Sequence, residues 1–175
     1  MHVEGCGGKL SYTPKSRENI LKVLLTWENI QPQKKLYVFV EPEEFGVRTD
    51  STLAGLGARE ADFLTYSEVV RRAETIAQCL RYKWKVQESD RVILAFPPGL
   101  DFICAFLGCL WASAIAVPVS APRPRELAVD LQKLEHIFHD RGAKIALTTE
   151  SYLMALRLYG AAHMLKKCLC CSGSI

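Results

Sequence analysis

DRVILAFPPGLDFICAFLGCLWASAIAVPVSAPRPRE, residues 90–126, passes through a strand, a sharp turn, a buried helix, a second strand and a proline-arginine exit without a break. Arg91 to Phe96 is rich in β-branched and aromatic residues, which suit a pleated, buried surface. Pro97-Pro98-Gly99 ends it, because two prolines neither donate ladder hydrogen bonds nor enter a helix interior. Leu100 opens a helix with Asp101 in its first turn, where the macrodipole favours negative charge. Phe102 to Ala114 is apolar on every face, the pattern of a helix wedged between a sheet and other packed elements. Ile115 to Val119 reads as the next strand, so the block is a βαβ unit.

A membrane span is the competing reading, since Phe102 to Val119 carries no charge over 18 residues. Gly108 in its middle, Pro118 near its end and the change to β-branched residues at Ile115 split it into two shorter elements. No transmembrane segment is therefore predicted.

Outward from this block, Thr65 with Glu68 forms a capping box for a helix through about Tyr82, with Val69, Val70, Ala73, Ile76, Ala77 and Leu80 on its buried face. Phe63-Leu64 before it is short and extended. Nearer the amino terminus, Ser16 is the predicted cap of a helix through about Asn29, its packing stripe being Ile20, Leu24, Trp27 and Ile30. Leu36 to Val40 is a strand, followed by the acidic turn Glu41-Pro42-Glu43-Glu44 and a glycine-bearing loop through Arg59. On the other side, Pro122 and Pro124 hold the exit extended. A helix from Glu126 or Leu127 to about Asp140 places Leu127, Leu131, Leu134 and Phe138 on one face. Arg141-Gly142 closes it, and Lys144 to Thr149 is a third strand. Strand, helix, strand, helix, strand with short links implies parallel pairing through right-handed crossovers.

A chain of 175 residues that is 49% hydrophobic is long enough for one ordinary core. Its net charge of +3 and its isolated basic pairs, Lys34-Lys35, Arg71-Arg72 and Lys166-Lys167, make no basic stripe, so no nucleic-acid partner is expected. The first residues lack an apolar core of signal-peptide length. Seven cysteines, an odd number, then point to free thiols in a reducing compartment, and a cytoplasmic location is expected. Cys79, Cys104 and Cys109 fall in apolar helical stretches, where cysteine packs as a small hydrophobe. Cys168, Cys170 and Cys171 lack a second pair at finger spacing, and His136 with His139 lacks a third ligand, so neither cluster is read as a metal centre.

Nucleotide-binding signatures fail on their required residues. Around Gly5-Cys6-Gly7-Gly8-Lys9, Val3 stands where a phosphate loop needs its first glycine and Leu10 where it needs a hydroxyl. Gly55-Leu56-Gly57 lacks the third glycine of a dinucleotide fingerprint. Pro97-Pro98-Gly99 sits at the right place, between strand and helix, but its prolines remove backbone donors that would cradle phosphate.

LTYSEVVRRAETIAQCLR (Leu64 to Arg81), DRVILAFPPGLDFICAFLGCLWASAIAVPV, APRPRE (Ala121 to Glu126) and KIALTT (Lys144 to Thr149) together resemble the amino-terminal part of fatty-acyl-AMP ligases. These belong to the adenylate-forming superfamily, with acyl-CoA synthetases and peptide-synthetase adenylation domains. The LTY-x-E opening is shared across that superfamily, whereas the PPGLDF helix with its P-x-P-R exit points to the fatty-acyl-AMP ligase branch. The fold class implied is α/β, a partial adenylate-forming-enzyme N-terminal domain with a parallel βαβαβ core. Residues 1–60 lead into it, 61–160 form its incomplete adenylation part, and 161–175 are a divergent cysteine-rich tail.

The resemblance implies a fatty acid and an acyl carrier protein as partners, and ATP with Mg as cofactors, for an intact family member. The carboxylate is activated as acyl-AMP and the acyl group then passes to a phosphopantetheine thiol. The family's serine-threonine-glycine phosphate loop and carboxy-terminal lysine match no residue here. No catalytic, cofactor-binding or metal residue is therefore assigned, no cofactor is expected to bind this chain tightly, and the chain by itself is expected to be inactive. Two alternatives are the same region of an acyl-CoA synthetase or amino-acid adenylation domain, and a non-catalytic adenylation-like binding module. In the exit, Arg123 and Arg125 are read as solvated, with the prolines stiffening the chain.

Overall fold

Every side chain from Val92 to Phe96 is buried, and the rest of the fold is arranged around this strand. The computed structural model describes residues 19–42, 58–121, 127–158 and 168–170. In chain order its first elements are α1 (Ile20–Ile30), β1 (Lys35–Pro42), β2 (Ala58–Thr65), α2 (Tyr66–Gln78) and β3 (Arg91–Phe96). α3 (Leu100–Trp111), β4 (Ile115–Ser120), α4 (Leu127–Arg141), β5 (Ile145–Thr148), α5 (Glu150–Leu158) and β6 (Cys168–Cys170) follow. β3 pairs in parallel with β4, Val92 opposite Ala116, and with β5, Val92 opposite Ile145. β6 adds a fourth parallel strand, for a sheet order β4-β3-β5-β6. The βαβαβ core read from the sequence is thus present, and the backbone of the cysteine-rich tail at Cys168–Cys170 joins it.

Alternation along β3 divides the core in two. Val92, Leu94 and Phe96 face a cluster built with α1, α2 and α3, while Ile93 and Ala95 face a smaller one with Leu134 and Phe138 of α4 and Leu153 of α5. A sheet covered by helices on both faces accounts for the continuous apolar run, since neither side of the strand meets water. α2 buries Val69, Val70, Ala73, Ile76 and Ala77, and Leu80 is buried just beyond it, the face expected from the sequence. No helix among the described residues is long and apolar enough to cross a membrane.

Several boundaries differ from the sequence reading. β2 begins at Ala58, well before Phe63, and pairs antiparallel with β1 in a separate two-stranded sheet, Val38 opposite Phe63. α2 widens after Gln78 into a π turn, Cys79–Lys83, closed by Trp84 N–H donating to the Cys79 carbonyl at 3.0 Å. α3 stops at Trp111, three residues early, because Ser113 takes a left-handed φ of 56°. Ser113 N–H then donates to the Leu110 carbonyl and Ala114 N–H to that of Cys109, a Schellman closure. Gly142, φ 57°, ends α4 through the same pair of bonds to His139 and Phe138.

The stripe on α1 is corrected more substantially. Leu21 and Leu24 are its buried residues, whereas Ile20 is 53% and Ile30 59% exposed, and Trp27 is exposed as well. ILKVLLTW is apolar on most of its circumference, and only packing against α2 selects the inward face. Asn19 caps this helix, its side chain accepting from Lys22 N–H at 2.9 Å. Ser16, the acidic turn from Glu43, Arg123 and Arg125 lie outside the described residues, as do both glycine-rich stretches.

The capping box at Thr65 forms in full: Glu68 N–H donates to Thr65 Oγ1 at 3.3 Å, and Thr65 N–H to Glu68 Oε2 at 2.9 Å. Thr65 N–H first, and then Thr65 Oγ1, which donates to the same Glu68 Oε2 at 2.9 Å, hold the Glu68 carboxyl below its ordinary value. Thr65→Ala is expected to lower unfolding free energy by about 1 kcal/mol, the usual cost of an orphaned N-cap. Urea melts would show this, with Thr65→Ser recovering most of the loss; equal losses in both variants would contradict the capping role.

At the amino ends of the strands, Lys144 Nζ donates to Asp90 Oδ2 at 2.8 Å and to the Lys85 carbonyl at 3.3 Å. The Lys144 bond, then the Gln87 backbone N–H, hold the Asp90 carboxyl below its ordinary value. A lowered folded value stabilises fully above the unfolded value, about 4 for aspartate, and that contribution is lost as pH falls through the folded value. Asp90→Asn is therefore expected to be less stable than the native chain near neutral pH, the gap closing below about pH 4. A gap in urea-melt stability that stays constant from neutral to acid would contradict the charge-based account.

Candidate functional site

In open parallel α/β sheets, ligands bind outside the carboxyl ends of the strands. Here that edge is assembled by Phe96, Ser120 and Thr148, the last residues of β3, β4 and β5. Thr148 is buried, and its Oγ1 donates to the Ala95 carbonyl at 2.6 Å, which locks the end of β5 to that of β3. Thr149 Oγ1 and Ser151 Oγ lie 3.0 Å apart where α5 begins.

A cleft of about 450 Å³ opens at this edge, lined by Phe96, Pro97, Pro98, Gly99, Phe102, Ser120, Ala121 and Tyr152. Its walls follow directly from the sequence. Pro97-Pro98-Gly99 turns the chain off the strand, the first turn of α3 brings Phe102 round, and the end of β4 supplies Ser120 and Ala121. A neighbouring cleft of about 650 Å³ between β4 and α4 shares Ser120 and Ala121 and is flanked by Asp130 and Lys133, paired at 3.1 Å.

The described lining of the first cleft offers aromatic and aliphatic carbon with two hydroxyl residues, and no carboxylate, imidazole or ammonium group. The nearby ion pair is Arg72 with Asp101, at 3.6 Å, which ties α2 to the first turn of α3. Cys104 and Cys109 are buried in the larger core cluster; burial pushes their thiols up to about 11 and about 12. That is the environment of packing cysteines, as read from the sequence, and not of nucleophiles. His136 and His139 are both exposed, and no group of three or more His, Cys, Asp or Glu able to hold a metal occurs among the described residues. The sequence marked Pro97-Pro98-Gly99 as a turn and did not anticipate Phe102 or Tyr152 as cleft walls. The aromatic just after the turn was the available signal for the first; Tyr152 comes from a distant helix and carried none.

The family model described as "AMP-binding enzyme" matches residues 47–171. This chain belongs to the AMP-binding enzyme family. Its relatives and structural neighbours include fatty acyl-AMP ligases of the adenylate-forming superfamily. The chain is 37% identical over 102 residues to Disco-interacting protein 2 of Drosophila melanogaster, covering 58% of this chain and 6% of that protein. It is 36% identical over 101 residues to the medium-chain-fatty-acid–[acyl-carrier-protein] ligase JamA of Moorena producens, covering 58% of this chain and 17% of that one. The solved fatty acyl-adenylate ligase of L. pneumophila, in complex with acyl adenylate and pyrophosphate, superposes with a TM-score of 0.66 at 26% identity. That superposition covers 87% of this chain and 23% of the ligase. The chain thus spans only 6% to 23% of the length of these proteins, and the family match runs to residue 171, beyond the motifs that carried the sequence resemblance.

Proposed function

We propose that this chain supplies one wall of the site at which a fatty-acid-activating ligase makes acyl-AMP, the acyl group then passing to a phosphopantetheine thiol of a carrier protein. In that reaction a carboxylate oxygen bonds to the α-phosphorus of ATP while the bond to pyrophosphate breaks. ATP with Mg supplies the leaving group that a free carboxylate lacks. The observation that carries the reading is the cleft at the carboxyl edge of a parallel sheet whose fold superposes on an acyl-adenylate-bound ligase.

The described cleft residues do not fit a triphosphate or its Mg. Pro97 and Pro98 have no N–H to donate, and no cationic or carboxylate side chain is among the described lining. The contribution assigned to this chain is accordingly the uncharged side of the site.

The test exchanges residues 58–158 for the matching segment of a full-length fatty-acyl-AMP ligase and follows ATP–pyrophosphate exchange. Fatty-acid-dependent exchange is expected from the chimera, and none above a heat-treated control from the 175-residue chain by itself. A folded chimera that responds to amino acids instead would overturn the reading, and exchange by the isolated chain would reveal a phosphate site among its own residues. The likeness to a protein named for interaction, Disco-interacting protein 2, favours a second reading as a non-catalytic binding module. Under that reading the chimera folds and stays inactive.

A further inference from the structure

ILKVLLTWENI, the sequence of α1, is apolar over more of its surface than the fold uses. Leu21 and Leu24 are buried in the larger core cluster, with Leu25 packed beside them. Ile20, Val23, Trp27 and Ile30 recur at helical spacing, so at about 100° per residue they share a stripe next to the buried one. All four are exposed, Val23 by 44% and Trp27 by 41%. Lys22, Thr26 and Asn29 occupy the remaining, polar strip and are exposed as well. The stripe is also fixed in place. Ser67 N–H donates to the Pro32 carbonyl at 3.0 Å and Tyr66 N–H to that of Lys34 at 3.2 Å, which pins the turn after α1 to the start of α2.

Area and charge select what covers it. The exposed parts of the four side chains come to about 400 Å², taking roughly 200 Å² for a large apolar side chain, a patch of the size that marks interaction sites on monomers. A stable dimer needs about 800 Å² from each partner, twice what the stripe offers. A bilayer interface sets no such threshold, because a helix lying in it buries its apolar face without shape complementarity, and Trp favours that boundary. Among the described residues of α1 and its turn into β1, Lys22, Lys34 and Lys35 are exposed, whereas the carboxylate of this stretch, Glu28, falls on the inward side with Leu21 and Leu24 and is half-buried. Lys35 Nζ stands over the exposed Phe63 ring at 4.2 Å, so Lys22 and Lys34 are the cations assigned to headgroups. Lysines beside an apolar stripe lay their stems along it and carry the ammonium to the headgroup level.

We propose that α1 is a docking surface for an anionic lipid bilayer, with Ile20, Val23, Trp27 and Ile30 at the acyl-chain boundary and Lys22 and Lys34 on the phosphate groups. The helix lies on one leaflet and does not span it; at 11 residues it is far too short to cross. This docking is independent of the fatty-acid-activation reading, which concerns the cleft at the carboxyl edge of the sheet.

Vesicle flotation of the full 175-residue chain tests it, since bound protein rises with the vesicles while aggregate sinks. Binding is expected on vesicles of phosphatidylcholine mixed with phosphatidylserine, weaker on phosphatidylcholine alone, and reduced by added salt. Val23→Ser with Ile30→Ser is expected to weaken it about tenfold or more. Both positions are exposed, so folding is spared. Lys22→Gln with Lys34→Gln should cost about 25-fold on the anionic vesicles, about fivefold per lysine, and nothing on the neutral ones. Lipids brominated on their acyl chains should quench tryptophan fluorescence in the native chain, and that quenching should vanish in Trp27→Phe although Trp84 and Trp111 remain. Val129→Ser, at an exposed apolar site on α4 across the sheet, is the control and leaves binding unchanged. Absent flotation, equal affinity for both vesicle types, indifference to the stripe variants, an equal loss in Val129→Ser, or unchanged quenching in Trp27→Phe would overturn the proposal. So would a lipid-free dimer in sedimentation velocity that Val23→Ser with Ile30→Ser dissolves, since the stripe would then belong to a second copy.

Discussion

Leu94→Ala is expected to lower the unfolding free energy by about 2–5 kcal/mol, the range for truncating a fully buried leucine whose surroundings relax only in part. Leu94 is 0% exposed at the centre of β3, opposite Pro118 on β4 and Leu147 on β5. Strands flank it on both sides and the larger helical cluster covers its face, so no element is free to move into the cavity. For a domain of this size the melting temperature should fall by roughly 10 °C. Ile93→Val, one residue away on the other face, removes a single methyl and should cost only about 1 kcal/mol. Calorimetry or urea melts of both variants check the pair; a Leu94→Ala loss no larger than that of Ile93→Val would mean β3 is not the centre of the fold.

The second large effect is expected at Gly108. A Cβ added there would sit 2.7 Å from Ile76 Cγ2, 2.8 Å from Ile76 Cβ and 3.1 Å from the Ala73 carbonyl oxygen. Glycine in a helix interior ordinarily costs about 1 kcal/mol against alanine, so a substitution in open space would stabilise. Here α2 and α3 approach too closely for that gain. Gly108→Ala should instead destabilise by about 1–3 kcal/mol, as overpacked cores do, and Gly108→Val by more. Trimming the obstacle with Ile76→Ala in the Gly108→Ala background should yield a coupled, smaller loss than the two single changes added together. Strict additivity of the two losses would argue against direct contact between these helices.

Much of this architecture was legible because its signals are local. Thr65 with Glu68 announces a capping box through three residues of sequence, and Gly142 announces a helix end through one. The period of α2 put Val69, Val70, Ala73, Ile76, Ala77 and Leu80 on one face, and the β-branched and aromatic run before Pro97 marked a strand, whose burial on both sides only the fold revealed. The candidate site was legible only in part. Pro97-Pro98-Gly99 was seen as a turn at the carboxyl end of a strand, but the other cleft walls come from β4 and α5, and no local pattern marks residues that meet across a sheet edge.

Sequence by itself determined the parallel βαβαβ core, the capping box at Thr65 and the glycine closure at Gly142, the packing role of Cys104 and Cys109 and the likeness to the fatty-acyl-AMP ligase branch. Each of these is written in spacing, propensity or motif within a short window. Tertiary structure alone decided the inward face of α1, the pairing of β1 with β2, the entry of Cys168–Cys170 into the sheet, and the meeting of Phe102 and Tyr152 at the cleft. The physical reason is that an apolar helix such as ILKVLLTW, or a three-residue strand, has several faces or partners of nearly equal local merit. The choice among them falls to contacts with residues far away in the chain.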